Sequence, residues 1–115
     1  SNAGHQPPVF WQGPSNYVEL PATAPPIGIL LDIEFETNRI DLGNGSLYIF
    51  TDGVTESVAP DGSELGVEGL CEIIDAQAGF DSKQRLEEIV TSIREQERKV
   101  HDDLTLLLIE TKAYV

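Results

Sequence analysis

The chain is short of positive charge. Seven Lys and Arg stand against twenty Asp and Glu, a formal net charge of −13 over 115 residues. A surface this acidic repels phosphate backbones and anionic headgroups, which argues against nucleic acid and membrane surfaces as partners. There is one cysteine and there are two histidines. A single thiol cannot close an internal disulfide, and no Cys/His spacing of the structural-metal type occurs, so a reducing, cytoplasmic setting is expected. No apolar run approaches the roughly 18 residues that a membrane-spanning helix needs, and no signal-peptide pattern is present. Ser1-Asn2-Ala3 reads as the scar of a cleaved expression tag, so residues 4–115 are the part to interpret.

What remains is an ordinary globular composition, 40% hydrophobic and 23% charged, sized for one small domain or a piece of a larger one. Val9-Phe10-Trp11 and 17–20 read as short strands around the turn Gly13-Pro14-Ser15-Asn16. The proline-rich 21–26 is a loop, since proline lacks the ladder donor. Residues 34–42 alternate as a half-exposed strand, and Gly43-Asn44-Gly45 predicts a hairpin returning through 46–51. That returning strand is apolar at consecutive positions, which predicts burial on both faces. Val67, Leu70, Cys71 and Ile74 form one helical stripe ending near Gly79. Asp81 caps a second helix, with Gln84 in the capping-box position and a stripe of Leu86, Ile89, Val90 and Ile93. Its far side, with Lys83, Glu87, Glu88, Arg94 and Glu95, is solvated. A last strand runs from Leu104 to about Thr111. Strands followed by a helix pair imply an α+β fold, with the helices on one face of a mainly antiparallel sheet. The other face then needs a cover, which makes a homodimer through that face one expectation.

Two stretches carry the chemistry. Leu47-Tyr48-Ile49-Phe50-Thr51-Asp52-Gly53 is an apolar run stopping on an aspartate, and His101-Asp102-Asp103-Leu104-Thr105-Leu106-Leu107-Leu108-Ile109 has the reverse order. Paired antiparallel, they place Asp52 and Asp102 at one rim of the sheet. Convergent carboxylates without Cys suit hard cations, Mg²⁺ or Mn²⁺. Taken singly, Asp52 is a turn aspartate before glycine, and Asp102 and Asp103 are an acidic strand start. Only their conjunction makes a site.

These same residues resemble a known family. Tyr48-Ile49-Phe50-Thr51-Asp52-Gly53-Val54-Thr55-Glu56-Ser57, then Asp61-Gly62, then His101-Asp102-Asp103-Leu104-Thr105, are similar to the C-terminal half of the metal-dependent (PPM-type, protein phosphatase 2C-like) phosphatase domain. The subgroup is the bacterial one of sporulation stage II protein E and the sigma-factor regulatory phosphatases. Gly4-His5-Gln6-Pro7-Pro8, Pro26-Ile27-Gly28-Ile29 and the helix from Gly66 extend the likeness over nearly the whole chain, in order. The resemblance implies two antiparallel sheets packed face to face with helix pairs outside, of which 4–115 supply the C-terminal portion. It implies hydrolysis of phosphoserine or phosphothreonine by metal-activated water, with two Mn²⁺ or Mg²⁺ ions and no phosphoenzyme. Asp52 and Asp102 match its metal-binding aspartates. Asp103 and Glu56 match positions around the metals or at a weaker third site, and Gly53 is the turn residue. The implied substrate is a phosphoprotein such as an anti-sigma-factor antagonist, in a bacterial cytoplasm, with a sensor or receiver domain upstream.

The family's other metal aspartates lie in motifs that the chain lacks, so the 115 residues alone are expected to be inactive. The competing reading is a phosphatase-like regulatory or interaction module that has lost catalysis. A third is an unrelated acidic cation-binding domain. His5 and His101 read as surface histidines, with a general-acid role for His101, which precedes the aspartates, as the lesser alternative. Cys71 reads as a buried small hydrophobe, and Phe10, Trp11 and Phe50 as core.

Overall fold

The computed structural model describes residues 1–96, 99 and 103–111. Its strands are β1 (Val9–Gly13), β2 (Asn16–Glu19), β3 (Ser46–Phe50) and β4 (Leu106–Glu110). Its helices are α1 (Asp52–Thr55), α2 (Gly66–Ala76) and α3 (Ser82–Glu95). The strands make one antiparallel sheet in the order β2-β1-β3-β4. The fold is therefore α+β, and β3 is an interior strand. No helix among the described residues is long and apolar enough to cross a membrane.

Register decides which side chains face the helices. Val9 lies opposite Tyr48, Trp11 opposite Ser46, and Tyr48 opposite Leu108. Because side chains alternate along a strand, Val9, Trp11, Ser46, Tyr48 and Phe50 all point to one side. That side is the core: these residues join Val54, Leu65, Leu70, Cys71, Ile73, Ile74, Ile89 and Ile93 in burial. Trp11 and Phe50 are core as expected, and so is Phe10, buried on the opposite face. The β1–β2 hairpin forms around the expected turn, with Ser15 in the left-handed region (φ 58°). Asp75 of α2 fastens the hairpin: one carboxylate oxygen accepts the Trp11 indole N–H at 2.7 Å, the other the Ser15 backbone N–H at 3.0 Å. Asp75→Ala strands a mostly buried indole donor and is expected to cost about 1–3 kcal/mol by denaturant unfolding.

Three expectations need correction. Residues 34–42 form no strand, and Gly43-Asn44-Gly45 makes no hairpin. Both edges of β3 are already taken, by β1 and β4, so residues 34–42 cannot pair with β3 as the first arm of a hairpin. Gly43 (φ +49°) and the Gly45 N–H to Leu42 C=O bond at 2.7 Å instead form a turn that leads into β3. Second, β3 is not buried on both faces. Ser46, Tyr48 and Phe50 are buried, while Leu47 and Ile49 are only half-buried. The opposite face carries Phe10, Leu47, Ile49, Leu107 and Ile109, all apolar. The 20–42 loop covers part of it, leaving Leu107 51% and Ile109 40% exposed. Third, α3 is rotated from its predicted stripe. Ile89 and Ile93 are buried as expected, but their partner one turn back is Arg85, with Leu86 and Val90 at the margin. The Asp81 cap is as expected, its carboxylate accepting the Gln84 N–H at 2.9 Å. α2 stops at Ala76, short of Gly79.

Arg85 lies across the far end of the sheet from the aspartates. Its Nη1 donates to Glu110 Oε2 at 3.0 Å and, at 3.4 Å, to Ser46 Oγ and Tyr48 Oη. Its Nη2 donates to the Phe80 carbonyl at 2.8 Å. Burial disfavours the charged guanidinium, but Tyr48 and Glu110 outweigh that and raise its pKa.

Cys71 is buried, as expected. Burial first, then the carboxylates of Asp75 and Glu19, push its thiol from 9.0 up to about 12. The folded state therefore keeps a proton that the unfolded chain releases above pH 9. The associated stability is full below that pH and lost as pH rises toward 12. At pH 8 the folded chain should resist thiol reagents and react only on unfolding, which a labelling time course with and without urea checks.

Candidate functional site

The site lies where β3 ends. Phe50 pairs with Leu106, the last full rung of the β3–β4 ladder. One residue on, Thr51 keeps an extended backbone (φ −89°, ψ 163°), and the chain then enters α1 at Asp52. Asp52-Gly53 is thus not the loop turn expected from the sequence. It opens one helical turn, closed by Val54 N–H to Thr51 C=O at 3.0 Å and Glu56 N–H to Asp52 C=O at 2.8 Å. Gly53, Val54 and Thr55 are buried, and Ser57 anchors the exit through its hydroxyl to the Val54 carbonyl at 2.8 Å. Burial of that inner side leaves Asp52 and Glu56 exposed at the rim. Four residues apart, they project to the same side of a helical turn.

The second segment reaches the same rim. Thr51 N–H donates to Thr105 C=O at 3.1 Å, and Thr105 N–H donates back to Thr51 Oγ1 at 3.1 Å. The Thr51 hydroxyl donates to the Asp103 carbonyl at 2.9 Å. Asp52 and the backbone of 103–105 are therefore held side by side, as antiparallel pairing required. Asp103 is exposed and linked here through its main chain. Asp102 and His101 lie outside the described residues. His5 is exposed, its Nδ1 2.9 Å from the Gln6 carbonyl.

The donor set fits a hard divalent cation in kind, being carboxylate oxygens on rigid element ends. Among the described residues no group of three or more His, Cys, Asp and Glu side chains is placed to hold a metal ion. Sequence reasoning assigned no role to Thr51. Its one signal was position: a hydroxyl residue at a strand end, directly before the Asp-Gly that starts a new element.

The family model described as stage II sporulation protein E (SpoIIE) matches residues 1–112. The chain belongs to the SpoIIE family. Among curated proteins it is similar to phosphoserine phosphatase RsbP of Bacillus subtilis (strain 168), 32% identical over 118 residues. That match covers 96% of this chain and 27% of the relative, so the SpoIIE-family chain spans about a quarter of that protein's length. No solved structure matches it. The family match runs through both aspartate-bearing segments and through the N-terminal hairpin, so the rim described above falls within the matched region.

Proposed function

We propose that this SpoIIE-family chain forms part of a metal-dependent phosphoserine/phosphothreonine phosphatase, with the Asp52 rim as part of its metal centre. The observation that carries the reading is the pairing at that rim: Asp52 opens α1 two residues after β3 ends, beside the segment that follows Asp102 in sequence. The name of the Bacillus relative supports a phosphoserine substrate. Asp52 and Asp102 would hold Mg²⁺ or Mn²⁺, with Glu56 and Asp103 around them. Bound there, such ions supply Lewis acidity toward the phosphate and a nucleophilic water at neutral pH.

Charge makes the cations necessary. A dianionic phosphate monoester approaching a chain of net charge −13 meets repulsion, and bound divalent ions reverse the local sign. The substrate is then a phosphoprotein, and by resemblance to the subgroup a phosphorylated anti-sigma-factor antagonist. Two aspartates are too few for two ions, so further ligands come from outside these residues.

Phosphate release from a phosphoserine peptide tests this. The full-length protein is expected to turn over with Mn²⁺ and to stop with EDTA. The 115-residue chain alone is expected to hydrolyse p-nitrophenyl phosphate negligibly, even with Mn²⁺. A metal-independent full-length enzyme overturns the mechanism, and robust turnover by the short chain overturns the ligand count.

A further inference from the structure

We propose that Thr51 is a positioning residue whose hydroxyl stands in for its own backbone carbonyl in the β3–β4 ladder. The inference deepens the phosphatase reading of the Asp52 rim and rests on it. In a hydrogen-bonded antiparallel pair, the two residues exchange both N–H···O=C bonds. Thr51 and Thr105 come next after the Phe50–Leu106 rung and make only half of that exchange. Thr51 N–H donates to Thr105 C=O at 3.1 Å. The return bond from Thr105 N–H goes to Thr51 Oγ1 at 3.1 Å. The carbonyl it would ordinarily use is already engaged, accepting Val54 N–H at 3.0 Å to start α1.

A chain leaving a strand for a helix has one carbonyl to satisfy two donors on diverging paths. Thr51 resolves the conflict with a second acceptor. Threonine at a helix N-cap ordinarily turns its hydroxyl inward to a helical N–H, but Thr51 makes no such side-chain cap bond. Its oxygen accepts from Thr105, and its proton goes to the Asp103 carbonyl at 2.9 Å. One hydroxyl thus bonds two residues of the segment next to Asp102 in sequence, while the same residue's carbonyl sets the first turn that presents Asp52. The spacing between the two carboxylate-bearing segments is then fixed by Thr51, which touches no reacting atom.

The test uses amide exchange and Mn²⁺ paramagnetic broadening, both read by NMR on the 115-residue chain, where even weak metal binding shows. Thr51→Val keeps the shape and removes the hydroxyl. Thr51→Ser keeps the hydroxyl. In Thr51→Val the Thr105 amide is expected to exchange about tenfold faster, the scale of one lost hydrogen bond, with the Leu107 and Ile109 amides, which face β3 in the same alternation, unchanged as the control for folding. Thr51→Ser should restore the wild-type rate. Mn²⁺ should broaden the amides of 52–54 and 103–105 together in wild type and Thr51→Ser, and lose the second group in Thr51→Val.

Equal Thr105 exchange in wild type and Thr51→Val overturns the ladder role. Faster exchange with an unchanged broadening pattern overturns the positioning role. If wild type shows no broadening at either segment, the site role of Thr51 in this chain falls, while EDTA inhibition of turnover separately decides the metal reading and Thr105 exchange the ladder role.

Discussion

Arg85→Met should lower the unfolding free energy by about 3 kcal/mol, the scale of breaking a buried ion pair by removing one partner. For a domain of this size that is a fall of roughly 10–15 °C in Tm. The Arg85 side chain is 8% exposed and Glu110 25%, so Glu110 regains some water when its partner goes. That places the loss at the lower end of the buried-pair range. The variant also leaves the Phe80 carbonyl, and Ser46 Oγ in part, without their donor. Ser46 Oγ itself donates to Glu110 Oε2 at 2.7 Å, so the carboxylate keeps one bond. Arg85→Lys should not rescue fully. A single ammonium cannot reach Glu110 through one nitrogen and Phe80 through another as the guanidinium fork does. Arg85→Met with Glu110→Leu should recover much of the loss, because an apolar pair of similar volume needs no desolvated charge. Thermal melts of the three variants check this, and a Tm for Arg85→Met within 2–3 °C of wild type, well short of the roughly 10–15 °C expected, would show the network to be idle.

Arg85 also shows where sequence reading stops. Periodicity placed a stripe on Leu86, Ile89, Val90 and Ile93, because a pattern method assigns every charge to the solvent side. The helix is set instead by a cation whose partners, Ser46, Tyr48 and Glu110, are distant in sequence. The features that were legible are those with local causes. The Gly13 to Asn16 turn is signalled by its own residues, although Asp75 of α2 also fastens it, and the Asp81 cap needs only Gln84. The strand expected over 34–42 failed for a non-local reason. Its alternation is real, but the hairpin expected of it needs a free edge on β3, and β1 and β4 occupy both. The consecutive apolar run of β3 predicted burial on both faces, and only the face of Ser46, Tyr48 and Phe50 is buried. How far each is covered depends on what packs there, which no periodicity reports. At the rim, the antiparallel meeting of the Asp52 and 103–105 segments was legible from reversed residue order. The helical geometry of Asp52-Gly53 and the hydroxyl of Thr51 were not, because both follow from which carbonyl satisfies which donor.

Asp52→Asn should separate chemistry from stability in the opposite sense to Arg85→Met. Asp52 is exposed at the rim, and its side chain makes no hydrogen bond or ion pair within the described residues. Its removal strands no buried group, so unfolding should change by no more than about 0.5 kcal/mol, as at ordinary surface positions. Loss of one negative charge from a chain at −13 slightly relieves self-repulsion and pushes in the stabilising direction. Phosphoserine hydrolysis by the full-length protein should nevertheless fall by more than about 100-fold, since changes to groups merely surrounding a metal already cost 10–100-fold. An amide keeps the shape but supplies a neutral oxygen where a divalent cation wants an anionic one. Glu56→Gln, one turn along α1, should cost less, about tenfold, if it acts from around the metals rather than as a ligand. The comparison is read as kcat/KM beside Tm for each variant at saturating Mn²⁺. Full activity in Asp52→Asn removes the rim from the mechanism. A large fall in Tm alongside the lost activity would mean that Asp52 supports α1 structurally, against the exposed position it holds.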